Sequence, residues 1–152
     1  MSRLFRLALV AIALAGCASI AEVKSLPPRT GTQLKFNAGP DVVRKAAHDA
    51  VLKANCDIDE ESQAPDGTSM VIGSSKTRIA TFMPTMGVWI RVAIVPEPGG
   101  VTTAYVYETK RDKNDAFAAT GFVSQNVTNY MKASVEEYLL DHPAPAAKPK
   151  GR

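Results

Sequence analysis

The sequence has few histidines and cysteines and few of the motifs that enzymes use for chemistry. It contains two histidines, His48 and His142, and neither has a second histidine at the i+4 spacing of a helical zinc site. Neighbouring residues on a helix point about 100° apart, so Asp49 cannot orient His48 as in a catalytic triad. A Gly-rich phosphate loop is also missing. We therefore expect His48 to lie on a solvated helix surface, and we expect no enzymatic activity, no metal and no cofactor.

An acidic group is the other candidate for metal binding: Asp57, Asp59, Glu60, Glu61 and Asp66. Calcium takes many oxygen ligands, and an EF-hand loop spaces its carboxylates evenly around a glycine. This group lacks that pattern. A solvated strand edge explains it better, because charges on an edge strand oppose edge-to-edge aggregation.

Long hydrophobic runs are also absent. The longest apolar run, from Leu7 to Ala15, is much shorter than the roughly 20 residues that a membrane-spanning helix needs. Arg3 and Arg6 precede the run, and small residues end it. A basic start, a short apolar core and a small-residue end are typical of a secretory signal peptide.

The end of this run, Leu14-Ala15-Gly16-Cys17, resembles the lipobox of bacterial lipoproteins. The resemblance implies a signal peptide over residues 1–16, cleavage before Cys17, a diacylglyceryl group on the Cys17 sulfur, and a fatty acid such as palmitate on the new amine. Ala18 stands where the family has Asp for inner-membrane retention. This implies the outer membrane of a Gram-negative cell, with the protein facing the periplasm. An ordinary signal peptide with an accidental cysteine is the alternative.

The distribution of charge and the cysteine content bear on two kinds of partner, nucleic acid and a disulfide-bonded second chain. The net charge is +3, but its basic excess comes from the two ends of the chain: Arg3, Arg6, Lys148, Lys150 and Arg152. Nucleic-acid binding needs a clustered basic face, so we expect none. If Cys17 carries lipid, Cys56 has no partner within the chain. It is then either buried as a small apolar side chain, which we favour, or paired with another chain.

Hydrophobic periodicity predicts one α+β domain over residues 32–142, with the order β-α-β-β-β-β-α. We expect an antiparallel sheet of about four to five strands with two helices on one face. The predicted strands are 32–38, 56–59, 69–73, 87–95 and 101–108, and the predicted helices run from Pro40 to Asn55 and from Gly121 to Leu140. Residues 17–31 are predicted to form a lipidated, extended tether. Residues 143–152 are predicted to be a disordered tail.

A second, looser resemblance covers residues 69–140. The strand hairpin, its polar turn and a final helix with Asn126-Val127 resemble small Gram-negative envelope lipoproteins of unassigned function. The resemblance supports the fold class and implies no active site.

The segment from Arg78 to Trp89 ("RIATFMPTMGVW") is the candidate site for a partner. One interpretation makes it the end of the third strand and the turn that follows. The other makes it an exposed docking patch, since methionine-rich and apolar surfaces mark contacts. The possible contact residues are Ile79, Phe82, Met83, Met86 and Trp89.

The sequence is compatible with two functions. The first is a non-enzymatic binding or accessory module, lipid-anchored in the periplasm, that binds an envelope protein. The alternative is a carrier of small apolar ligands. Its pocket would lie between the sheet and the C-terminal helix, lined by Tyr105, Tyr107, Tyr130 and Met131. A carrier needs an internal cavity, whereas a docking module needs an exposed apolar patch on a filled domain.

Overall fold

The computed structural model describes residues 18–75, 87–112 and 120–143. These residues form eight elements in chain order. They are α1 (Ile20–Ser25), β1 (Thr32–Phe36), α2 (Pro40–Lys53), β2 (Cys56–Gln63), β3 (Ser69–Ser75), β4 (Val88–Glu97), β5 (Val101–Lys110) and α3 (Phe122–Asp141).

The five strands form one antiparallel sheet with the order β1-β5-β4-β3-β2. Strands β2 to β5 follow one another as a meander, and β1 pairs with the last strand. Helix α2 therefore carries the chain from one edge of the sheet to the other. The predicted α+β class and antiparallel sheet are confirmed.

Helices α2 and α3 cover one face of the sheet. Ile90, Val92 and Ile94 alternate along β4 and are completely buried in this core. The core-facing residues of α2 are small: Val43, Ala46, Ala47, Ala50 and Val51. Helix α3 adds Val127, Met131 and Val135. The predicted placement of two helices on one face is therefore confirmed.

Close contact between α2 and the sheet depends on Gly73 in β3. A Cβ atom at Gly73 would lie 2.7 Å from the Cγ1 atom of Val51 and 2.5 Å from the carbonyl oxygen of Asp57. Any larger residue would push α2 away from the sheet. At the end of α2, Asn55 has φ 60°, the left-handed conformation expected where the chain leaves the helix.

Strand β2 is longer than predicted, and it lies at an edge of the sheet. Its pairing with β3 has a register shift between Ile58 and Glu60, and its acidic residues are exposed or half-buried. The interpretation of the acidic group as a strand edge is confirmed for the members within β2.

The structure differs from the extended tether predicted for residues 17–31. Residues 20–25 form helix α1, which packs on the face of the sheet opposite α2 and α3. Cys17 and residues 144–152 of the predicted tail lie outside the described residues.

Val92→Asp tests the assignment of the core face. Val92 is completely buried, so the substitution places an unpaired carboxylate in an apolar core. We expect a loss of several kcal/mol of unfolding free energy, a large share of a typical 5–15 kcal/mol. Urea denaturation followed by circular dichroism measures the change. Gln33→Asp is the matched control. Gln33 is an exposed residue of β1, so this substitution should change stability little. An unchanged midpoint for Val92→Asp would contradict this core.

Candidate functional site

The second face of the sheet is also covered along β4, although antiparallel sheets commonly leave one face in water. The residues of β4 from Val88 to Ile94 are buried without a break, so both faces of this strand are shielded from water. The cover is a segment that we call the N-terminal strap, residues 18–30. It contains helix α1 and crosses the outer face of β4.

The strap is attached first at Ala18. The indole N–H of Trp89 donates a hydrogen bond of 2.7 Å to the carbonyl oxygen of Ala18. The backbone N–H of Ala18 donates to the carbonyl oxygen of Arg111 over 2.9 Å. The guanidinium of Arg111 lies 5.0 Å from the centroid of the Trp89 ring, within cation–π range. Both backbone polar groups of Ala18 are therefore bound to the sheet.

Helix α1 supplies the apolar part of this contact. The side chain of Ser19 accepts a hydrogen bond from the N–H of Glu22, which caps the helix. Val23 is 1% exposed and packs with Ile72 and Trp89 in a second apolar cluster. Burial of one such side chain contributes about 1.5–3 kcal/mol.

Arg91 holds the strap beyond α1. It is 2% exposed, and its Nη2 atom donates to the carbonyl oxygens of Leu26 and Pro27, both over 3.1 Å. Its Nε–H lies 3.2 Å from the Sδ atom of Met70. Burial lowers the pKa of the Arg91 guanidinium, an effect that Tyr107 opposes. Within the described ranges, Nη1 has no hydrogen-bond partner and no carboxylate forms a salt bridge with Arg91.

Two ion pairs at the surface complete the attachment. The ammonium of Lys24 lies 2.5 Å from a carboxylate oxygen of Glu60. The Nη2 atom of Arg29 lies 3.2 Å from the Oε1 atom of Glu97. Exposed pairs of this kind usually contribute less than about 1 kcal/mol each. The strap therefore runs along β4, from the contact of Ala18 with Trp89 near the start of the strand to the ion pair of Arg29 with Glu97 at its end.

The candidate partner residues fall into two groups. Trp89 is 9% exposed, and its ring and indole N–H are occupied by the strap. The expectation that Trp89 is an exposed contact is therefore wrong, because residues 18–30 pack on the sheet instead of forming the predicted tether. Ile79, Phe82, Met83 and Met86 lie outside the described residues.

His48 lies at the surface, as expected. Its Nδ1 atom is 2.5 Å from Oε1 of Glu61, and both side chains are about 40% exposed. Asp49 binds Lys45 over 2.6 Å and does not orient His48. A shallow groove of about 350 Å³ surrounds them, lined by charged side chains. In the three described ranges, no three histidine, cysteine or acidic side chains come together as a metal site.

Cys56 is buried and unpaired, which confirms the prediction of burial. Burial, followed by the charges of Glu108, Asp57 and Asp59, raises the pKa of its thiol to about 11. The thiolate is the reactive form, so Cys56 is a poor nucleophile near neutral pH.

The residues proposed to line a carrier pocket do not meet. Met131 is fully buried in the core between α3 and the sheet, whereas Tyr130 is 41% exposed. Tyr105 and Tyr107 alternate with the core residues Ala104 and Val106, so they lie on the opposite face. An open hollow of about 360 Å³ does lie at the start of α3. There the carboxylate of Glu108 accepts hydrogen bonds from the N–H groups of Gly121 and Ser124.

No protein-family model matches the chain, and no curated protein is significantly similar to it. Among the helices in the described part of the chain, none is long and apolar enough to cross a membrane.

Trp89→Phe tests the attachment of the strap. The substitution keeps an aromatic ring in the apolar cluster but removes the donor to the Ala18 carbonyl. We expect a loss of about 1 kcal/mol of unfolding free energy and faster proteolytic cleavage within residues 18–30. Tyr130→Phe, which alters an exposed ring on α3, is the control. Equal cleavage rates in wild type and Trp89→Phe would show that this hydrogen bond does not hold the strap.

Proposed function

We propose that this protein is a lipid-anchored, non-enzymatic binding module on the periplasmic side of the outer membrane of a Gram-negative cell. The observation that carries the proposal is the position of Ala18. Ala18, which directly follows the cysteine of the Leu14-Ala15-Gly16-Cys17 motif, is buried and hydrogen-bonded to the sheet. Cleavage before Cys17 would therefore keep every contact of the strap.

The acyl chains would provide the membrane attachment. One fatty acid holds a protein to a bilayer only marginally, whereas two or more give stable binding. A diacylglyceryl group on Cys17, with a further acyl chain on its amine, meets this requirement without a spanning helix.

The described side chains support a binding role over a catalytic one. The buried guanidinium of Arg91 binds backbone carbonyls, and the thiol of Cys56 has a raised pKa. His48 and Glu61 face solvent together without a serine, threonine or cysteine among the residues that line their groove. These groups stabilise the fold or contact water, and none forms an activated pair of the kind used in covalent catalysis.

The proposed partner is an envelope protein, and the proposed contact lies between β3 and β4. Ile79, Phe82, Met83 and Met86 would supply its apolar anchors, since a few large side chains provide most of the binding energy of an interface. Trp89 would have a different role, because it holds Ala18.

Cys17→Ser tests the anchor. We expect the variant to incorporate no labelled palmitate and to remain uncleaved or to leave the membrane fraction. Cys56→Ser is the control, and it should still be acylated and fractionate with membranes. Labelled palmitate on Cys17→Ser, or none on the wild-type protein, would contradict the lipid anchor.

Phe82→Ser combined with Met83→Ser tests the partner contact. If the two side chains are exposed, the unfolding free energy should change by about 0.5 kcal/mol or less, and crosslinking to envelope proteins in intact cells should fall. Thr102→Ser at a buried site away from the segment serves as a control for crosslinking. A stable double variant that retains all crosslinks would exclude this contact. A loss of about 3–5 kcal/mol would instead place Phe82 in the core.

A further inference from the structure

The peptide bond proposed for cleavage lies next to a residue that the sheet already holds. Ala18 is 5% exposed, its N–H donates to the carbonyl oxygen of Arg111, and its carbonyl oxygen accepts from the indole N–H of Trp89. Successive Cα atoms are about 3.8 Å apart, so the bond between residues 16 and 17 lies close to this fixed point. The docked strap therefore fixes the chain within one residue of Cys17.

Both reactions of the proposed processing need this part of the chain to be free. In the first, the Cys17 thiol forms a thioether with a diacylglyceryl group from a membrane phospholipid, and the headgroup phosphate leaves with the thiol proton. In the second, water hydrolyses the peptide bond before Cys17. The reacting atoms must approach within about 3–3.5 Å. Enzymes that cleave a protein act on open segments, so a docked segment reacts through its transiently open form.

An undocked strap would give Cys17 the reach that a reaction at a membrane requires. The next residue held by the sheet is Thr32, which pairs with Val106 at the start of β1, so residues 18–31 would then be free. An extended chain of that length spans roughly 45 Å. Helix α1 has only 6 residues, and isolated helices of that length are marginal in water. The released strap would thus become the extended tether that its sequence predicts.

The contacts of the strap allow it to leave while the core stays intact. They belong to the second apolar cluster, whereas the core cluster between the sheet and helices α2 and α3 contains no residue of the strap in the described part of the chain. The guanidinium of Arg91 would regain water in place of the carbonyl oxygens of Leu26 and Pro27. Segments of this kind open locally at a lower free energy than global unfolding.

We propose that docking of the strap is the last step in the maturation of this protein and that it closes the processing site. The reactions at Cys17 take place while the strap is open, and the strap then packs on β4. This inference rests on the proposed lipid anchor. A precursor whose strap is docked would be a poor substrate for both reactions.

The rate at which folded precursor is processed tests this order. The full chain is purified in folded form and mixed in detergent with membranes from a Gram-negative cell, which supply the enzymes and the phospholipid. Mass spectrometry follows the gain of the diacylglyceryl group on Cys17 and the loss of residues 1–16. The ammonium of Lys24 lies 2.5 Å from a carboxylate oxygen of Glu60, so a carbodiimide can join them through an amide and lock the strap.

We expect the locked wild-type precursor to be processed about tenfold more slowly, or slower still, because its strap no longer opens. The same reagent should not slow Lys24→Gln, which cannot form this link. Trp89→Phe should be processed several-fold faster than wild type, since the rate follows the population of the open form. Val135→Ala, which weakens the core cluster without touching the strap, should be processed like wild type.

The mature protein from cells separates this inference from the anchor itself. Mature wild-type protein without lipid on Cys17 contradicts the proposed function. Lipid on Cys17 together with equal processing of locked and unlocked precursor overturns the proposed order and leaves the anchor in place. Trp89→Phe that is processed no faster than wild type, or no faster than Val135→Ala, also overturns it.

Discussion

The buried guanidinium of Arg91 connects the N-terminal strap to the rest of the structure. No carboxylate among the described residues pairs with Arg91, so its burial is costly. The two carbonyl oxygens of the strap offset that cost through charge-assisted hydrogen bonds. If the strap left, Arg91 would regain water, but Val23, Ile72 and Trp89 would be exposed together. Polar and apolar contacts thus depend on the same segment, which makes the strap part of the domain.

Because β4 is covered on both faces, the roles of its outward-facing residues differ from those in a sheet with one solvated face. In a sheet with one solvated face, Trp89 and Arg91 would be free to contact a partner or a ligand. Here they are structural, because the strap occupies the indole N–H of one and the Nη2 atom of the other. The outer face of the sheet along β4 is therefore not a surface open to a partner.

The sequence predicted the core face well, because its periodicity is local and strong. Ile90, Val92 and Ile94 alternate strictly, and the small residues of α2 recur at helical spacing. The strap was missed because a six-residue helix beside two prolines has little periodicity of its own. Two signals were present. Ser19 and Glu22 have capping-box spacing, and Trp89 and Ala93 make the outer face of β4 apolar. An apolar outer face requires a cover, but alternation within one strand does not identify which segment supplies it.

The candidate site was less predictable than the fold for a related reason. The roles of Trp89 and Arg91 come from contacts with residues more than 60 positions earlier in the chain. Sequence patterns report burial and periodicity, but they do not report which distant carbonyl a buried donor will bind. The lipobox resemblance at Cys17 is local, so it can be read from four consecutive residues, and the lipid anchor stays a prediction.

Amide hydrogen exchange over residues 18–25 tests most directly whether the strap belongs to the domain. In wild-type protein we expect the amides of Ala18 and Val23, which donate to Arg111 and Ser19, to be protected well above the rates of an unstructured chain. Arg91→Met should reduce this protection while the amides of α2 remain protected. Exchange of residues 18–25 at unstructured-chain rates in the wild-type protein would contradict the account.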